Sequence, residues 1–247
     1  MASKVAIVTG ASSGIGRATA IALSAAGWKI ALAARREDML KEVQTECKSE
    51  SLVIAGDITK ADFVAKLFKD TVDRFGRLDL LFNNAGMSAK GVPIEDLPLQ
   101  DFLDVLNLNI TAAFMCTQQA VRQFKAQSPT GGRIINNGSI SATTPRPHSA
   151  PYTLTKHAIT GLTKSTALDG RAFDITVTQI DIGNAHTDMA AGMNNGALQA
   201  DGTVKPEPTF AIEHVGSTIV HIASLPNTVQ VLSFNIMAAK MPFVGRG

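Results

Sequence analysis

The 247-residue sequence predicts a doubly wound α/β fold, an open parallel sheet covered by helices on both faces. Three observations predict it. Apolar, β-branched runs alternate with helical patterns along the chain. The runs are continuously apolar rather than alternating, as strands buried on both faces require. The segments between successive runs are long enough for right-handed helical crossovers.

The elements follow in order. Residues 4–9 read as the first strand, and a glycine-rich turn leads into a helix over 16–26, with Ala18, Ile21, Ala22, Ala25 and Ala26 on helical spacing. Residues 30–34 are the second strand and 37–48 a charged helix. A strand at 52–55, a helix at 61–75 and a strand at 78–82 come next. A long helical pattern covers 99–127, divisible into two pieces. Then come a strand at 133–136, a helix at 150–172, a strand at 175–182, a helix at 212–224 and a last strand at 229–237. That makes about seven strands. No repeat or linker divides them, so residues 1–247 read as a single domain. The rhythm breaks at about residues 184–210, which are rich in Gly, Asn, Ala and Pro and contain Met189 and Met193. Long irregular segments of this kind serve as substrate loops or are plain surface insertions.

Bulk properties narrow the function. A formal charge of +2 with no basic tail argues against a nucleic-acid partner. No apolar run approaches the ~20 residues a bilayer span needs, so no membrane association is expected. The chain starts directly into strand-like sequence without an apolar leader. Cys47 and Cys116 lie far apart without metal-type spacing, which predicts free thiols, no metal and a reducing, cytoplasmic location.

The first strand runs into Gly10-Ala11-Ser12-Ser13-Gly14-Ile15-Gly16 at the start of a helix. Glycines let the backbone turn sharply and approach a pyrophosphate, and a helix N-terminus offers free N–H groups and a positive dipole end. A glycine turn also arises for steric reasons alone, but this one lies between the first strand and an Ala-rich helix, where a dinucleotide is held. The expected contacts are Gly10, Ser12, Ser13, Gly14, Ile15 and Gly16. An acid near the end of the second strand would bond a ribose 2′-hydroxyl; here the strand ends Ala34-Arg35-Arg36. Guanidinium groups match a 2′-phosphate, so Arg35 and Arg36 predict NADP(H) over NAD(H), unless they are simply solvated. Asp57, followed by Ile58, either caps the next helix or accepts from the adenine. Asn84, Ala85 and Gly86 end the fourth strand with small residues beside a ligand.

Tyr152 and Lys156 are four residues apart and share a helix face. An unperturbed phenol titrates at about 10, and an ammonium one turn away favours the phenolate. Tyr152 is the only tyrosine in the chain. Taken in order, the glycine motif, Asn83-Asn84-Ala85-Gly86, Asn109, Ser139 thirteen residues before Tyr152, and the Tyr152–Lys156 pair resemble the short-chain dehydrogenase/reductase family over essentially the whole length.

The resemblance implies a Rossmann-type sheet and an oxidoreductase that interconverts a carbonyl and an alcohol. Tyr152 is then the general acid or base, Lys156 bonds the nicotinamide ribose, and Ser139 holds the substrate oxygen. Asn109 supports a water beside Lys156 at a helix distortion. Ser141 and Asn107 are the competing candidates for the last two roles. The resemblance also implies a homotetramer or homodimer. Two readings that differ in chemistry are an epimerase using the same residues and a catalytically silent NADP-binding regulator.

Two departures from the family pattern stand out. After the sixth strand, Ile182 occupies the place of the usual proline before Gly183, with Thr187 and Met189 following as expected contacts to the nicotinamide. The tail carries Met241, Phe243 and Val244 in place of a glycine-rich ending, which suggests docking on a neighbouring subunit, or else folding over its own. His148 is expected in a loop near the site, and His157 and His186 away from the chemistry.

Overall fold

The computed structural model describes residues 4–187 and 196–244. Seven strands form one sheet: β1 (Val5–Thr9), β2 (Lys29–Ala34), β3 (Ser51–Ala55), β4 (Leu80–Asn83), β5 (Gly132–Asn137), β6 (Ile175–Ile182) and, after a two-stranded hairpin of β7 (Ala197–Leu198) and β8 (Val204–Lys205), the last strand β9 (Ser233–Ile236). The strand order is β3-β2-β1-β4-β5-β6-β9, all parallel. The helices are α1 (Gly14–Ala25), α2 (Glu37–Glu46), α3 (Ala61–Phe75), α4 (Leu99–Leu106), α5 (Ala112–Ala126), α6 (Ala150–Asp169) and α7 (Glu213–Ser224).

Side chains alternate across a strand, and here both faces are apolar. From β1, Ala6 and Val8 pack on the layer built from Leu23 of α1, Leu40 of α2 and Ile219 of α7. Their neighbours Val5 and Ile7 pack on the opposite layer with Leu67 of α3, Cys116 and Phe124 of α5. β6 divides likewise, with Ile180 and Ile182 on one side and Ile175 and Val177 on the other. Double coverage explains why β1 and β2 read as nearly unbroken apolar runs, while β6 buries Thr176, Thr178, Gln179 and Asp181 among its apolar residues. The order reverses between β1 and β4, which opens a crevice at their carboxyl ends.

Most boundaries agree with the sequence reading to within two residues, and three differences stand out. The fourth strand starts at Leu80 rather than Leu78, because both backbone groups of Leu78 bond the Gln127 side chain. The last strand is shorter than 229–237, because the Gln230 amide side chain bonds the N–H and C=O of Val177, where a longer strand would have paired. The sixth helix ends at Asp169, and Arg171–Phe173 form a separate 3-10 turn beyond Gly170. The 99–127 region is indeed two helices, joined by a π-helical turn over Asn107–Thr111.

Candidate active site

The glycine loop joins β1 to α1 with a conformation that only glycine adopts easily. Gly10 has φ +66 and Gly14 φ +54. A Cβ on Gly16 would lie 2.2 Å from the Gly10 carbonyl oxygen, so the helix start is pressed against the loop. No side chain caps the N-terminus of α1 and its first turn holds no acid. Its N–H groups are therefore unblocked toward an anion. Thr187 lies over the same loop, with its Cγ2 3.7 Å from where a Gly14 Cβ would stand. The loop after β6 thus crosses the glycine turn. This loop, with its bare helix terminus, fits a dinucleotide pyrophosphate.

The second strand delivers Arg36 to that loop. Its guanidinium donates to Ser12 Oγ at 3.0 Å and Ser13 Oγ at 2.8 Å. Arg35 is exposed beside it, and its charge reaches Asp57. Asp57 folds back on its own chain: Oδ1 accepts from the Thr59 N–H at 3.0 Å and the Thr59 hydroxyl at 2.8 Å. These bonds, the backbone one foremost, hold its carboxyl below the ordinary range. Ile58 is buried behind it.

A ladder of asparagines bridges the crevice. Asn83 and Asn136 stand opposite each other across β4 and β5 and bond side chain to side chain at 2.9 Å. Asn84 Nδ2 donates to the Thr9 carbonyl at 2.9 Å, while its N–H and that of Ala85 donate to Thr9 Oγ1. Asn137 Nδ2 donates to Asn84 Oδ1 at 2.9 Å, and the Asn137 carbonyl accepts from Lys156 Nζ at 2.7 Å. Hydrogen bonds therefore run from the glycine loop to the amine on α6 without a gap. Asn136 and Asn137 escaped the sequence reading, and Thr9 stood in it only as the end of the first strand. The signal was there, as two Asn-Asn doublets each ending a strand.

Lys156 is buried and its Nζ lies 5.3 Å from the centre of the Tyr152 ring. The pair sits in the first two turns of α6, which packs against the 3-10 turn Ile140–Ala142 at the end of β5. Ser139 precedes that turn, buried, with its Oγ accepting from the Ser141 N–H at 3.1 Å. Ser141 is buried too, and its N–H serves to hold Ser139. The π-helical turn turns Asn109 inward, whereas Asn107 is exposed. Asn109 pairs with the backbone of Met87, donating to its carbonyl at 2.8 Å and accepting from its N–H at 2.9 Å. It also donates to Thr155 Oγ1 at 3.1 Å, next to Lys156. Gly86 lies against it: a Cβ there would stand 3.2 Å from Asn109 Oδ1, so Asn109 would have to give by a few tenths of an ångström.

Comparison with known proteins places this geometry. Residues 4–197 match the family model for short chain dehydrogenase. A 3-oxoacyl-[acyl-carrier-protein] reductase of Synechocystis sp. is 34% identical over 198 residues, 78% of this chain and 79% of that one. The chain is a short-chain dehydrogenase/reductase. As such it is an oxidoreductase that moves a hydride between a nicotinamide cofactor and a carbonyl/alcohol pair. Actinorhodin polyketide ketoreductase, solved as a variant with NADPH, superposes with a TM-score of 0.83 at 27% identity, covering 95% of this chain and 96% of that one. A 3-ketoacyl-(acyl-carrier-protein) reductase from Brucella melitensis, solved with NADH, shares the fold with a TM-score of 0.86 at 22% identity, covering 96% and 98%.

In this short-chain dehydrogenase/reductase the remaining expected contacts fall as follows. Ile182 is buried at the end of β6, and the Gly183 N–H bonds the Ile236 carbonyl at 2.8 Å. Met189 and Met193 lie outside the described residues. His148 is exposed with φ +57, His157 is exposed and bonds the Thr153 carbonyl, and His186 is exposed. The tail folds over its own chain, the second of the two expected arrangements. Met241 is buried against Ala238 and Ile140 of its own chain, with Phe243 packed alongside. Its Sδ would lie 2.9 Å from a Gly183 Cβ; Val244 stays open, 94% exposed.

The segment after β6 is tied to the loop before α6 by an ion pair absent from the sequence reading. Arg146 grips Glu207 with both terminal nitrogens, at 2.7 and 2.6 Å, and Asn184 and Gln199 donate to the same carboxylate at 2.8 and 3.1 Å. The irregular region also holds the β7–β8 hairpin.

Proposed function

We propose that the chain reduces a ketone or aldehyde with NADPH and catalyses the reverse alcohol oxidation. The observation that carries the reading is the Tyr152–Lys156 pair on one helix face, linked by hydrogen bonds to the glycine loop at the sheet's crevice. The bound dinucleotide supplies the hydride. In reduction, the Tyr152 hydroxyl donates its proton to the substrate oxygen, and in oxidation the phenolate takes it back. Lys156 places positive charge beside the ring, which favours the negative charge left on the phenol oxygen. Ser139, held by Ser141, donates to the same substrate oxygen and stabilises charge developing there. Asn109 fixes the Met87 backbone and, through Thr155, the turn that carries Lys156.

Gly10, Gly14, Ile15 and Gly16 hold the pyrophosphate, with Asn84, Ala85 and Gly86 on the far wall, and Ile182, Gly183 and Thr187 at the nicotinamide end. Arg36, already seated on Ser12 and Ser13, binds the 2′-phosphate with help from Arg35, which favours NADPH. One domain, residues 1–247, carries both cofactor and substrate. The substrate loop is about 184–210, and Met87 and Ala142, with Ala185 of the loop itself, suit a small to medium apolar carbonyl compound. Two free thiols fit a cytoplasmic enzyme, and among the described residues no helix is long and apolar enough to cross a membrane. Exposed Leu99 and Leu103 on α4, Phe114 on α5 and Phe234 on the open edge strand β9 favour a homotetramer or homodimer. The test is consumption of NADPH and of NADH across a panel of ketones and aldehydes. Faster turnover with NADPH on at least one carbonyl compound is expected. Tight cofactor binding with no turnover on any of them would overturn the reading.

A further inference from the structure

Behind Ser139 lies a buried acid that no role above uses. Asp181, on β6, is 5% exposed. Its Oδ1 accepts the Ser139 N–H at 2.8 Å and the Gln179 amide at 2.7 Å. The fit around it is tight: a Cβ on Gly138 would stand 2.1 Å from that same oxygen. Glycine at 138 and aspartate at 181 therefore belong together, since any side chain at 138 would push the carboxylate off the Ser139 N–H. Burial raises the Asp181 carboxyl above its ordinary range, against the bonds from Gln179 and Ser139 and the Lys156 charge. Among the described residues, Lys156 of α6 is the one charged group with an electrostatic effect on it. From its own strand it meets Gln179, and across the ladder to β9 it stands opposite Asn235, neither of them titratable. The Ser139 turn supplies no charge.

We propose that Asp181 is a positioning residue of the reaction: its carboxylate fixes the Ser139 backbone and offsets the charge of Lys156, which keeps Tyr152 in its protonated, proton-donating form. The proposal rests on the roles given above to Ser139, Tyr152 and Lys156. Ser139 Oγ is directed by two contacts, its own N–H on Asp181 and the Ser141 N–H on its oxygen. With both in place, the hydroxyl is pre-set for a substrate oxygen rather than oriented on arrival. The electrostatic half follows from sign. An ammonium near a phenol favours the phenolate, and a carboxylate near that ammonium works against it. The balance suits a carbonyl reductase, whose tyrosine must arrive with a proton to give.

The sole tyrosine makes this measurable without turnover. Tyrosinate absorbance in the near ultraviolet reads Tyr152 ionisation alone, since the chain has one tyrosine. Asp181→Asn removes the charge and keeps an oxygen for the Ser139 N–H. The Tyr152 titration is expected to move to lower pH by at least about half a unit. Asp181→Ala also removes the acceptor, so kcat should fall at least about tenfold below that of the Asn variant, with the KM for cofactor unmoved. If the Ala variant does not fold, the Asn titration carries the test. An unmoved or raised titration in Asp181→Asn would overturn the electrostatic role, and equal kcat in the two variants would overturn the positioning role. A wild-type protein inactive on every carbonyl compound would sink the proposed function, while the titration would still report on Asp181.

Discussion

Glu207→Gln neutralises one member of a buried ion pair while keeping the shape of its side chain. The Glu207 side chain is 1% exposed and that of Arg146 16%. Burial pushes the Glu207 carboxyl up, but hydrogen bonds from Arg146, Gln199 and Asn184, together with the Arg146 charge, outweigh it and hold the group at about 2, against an ordinary 4.5. That difference corresponds to about 3 kcal/mol favouring the charged, paired form at neutral pH. The same figure lies at the low end of the cost of breaking a buried pair by removing one partner, as suits an arginine that keeps some contact with water. The sign of the pH dependence follows. The folded value is depressed, so the stabilisation is complete above about pH 4.5 and is lost as pH falls toward about 2. At neutral pH the variant should therefore unfold about 6–12 °C below wild type for a chain of this size. Circular dichroism melts of both proteins, at one protein concentration and at steps between neutral and acid pH, measure it. The gap in Tm should close as the pH drops through that window. A gap below about 1 kcal/mol at neutral pH, or one that persists unchanged into acid, would refute the reasoning.

Three further outcomes are expected. Tyr152→Phe should lower kcat by at least about 10²-fold with little change in NADPH affinity, and fluorescence titration beside steady-state kinetics separates the two. Arg36→Ala should raise the KM for NADPH about tenfold or more and leave that for NADH nearly unchanged; equal effects would place the 2′-phosphate elsewhere. In the native protein only Cys47 should react with an alkylating reagent, because burial pushes the Cys116 thiol up to about 12 and leaves it 1% exposed. Intact-mass analysis after alkylation should find one adduct, and two only after unfolding.

The fold class was legible in the sequence because strands buried on both faces are largely apolar along their whole length, as β1 is throughout up to Thr9 and β2 after Lys29; β6 is buried as fully but carries Thr176, Thr178, Gln179 and Asp181 among its apolar residues. The loop from Gly10 to Gly16 was legible because φ values such as +66 at Gly10 restrict the residue type at that point of the chain. Tyr152 and Lys156 could be paired on paper because helical spacing is local. Boundaries at 78–80 and 229–233 were not legible. There, side chains of Gln127 and Gln230, distant in sequence, take the backbone bonds a strand would have made.

The amino-acid order by itself determined what neighbouring residues along the chain can settle: periodicity, turns, helix faces and the glycine loop. Tertiary structure alone decided which distant groups meet. Asp181 reaches Ser139 across forty-two positions, Arg146 reaches Glu207 across sixty-one, and the tail's Met241 reaches Ile140. Such pairings depend on which strands lie side by side and on where each loop closes. A hydrogen bond or an ion pair is a matter of a few ångströms, and spacing along the chain carries no information about those distances.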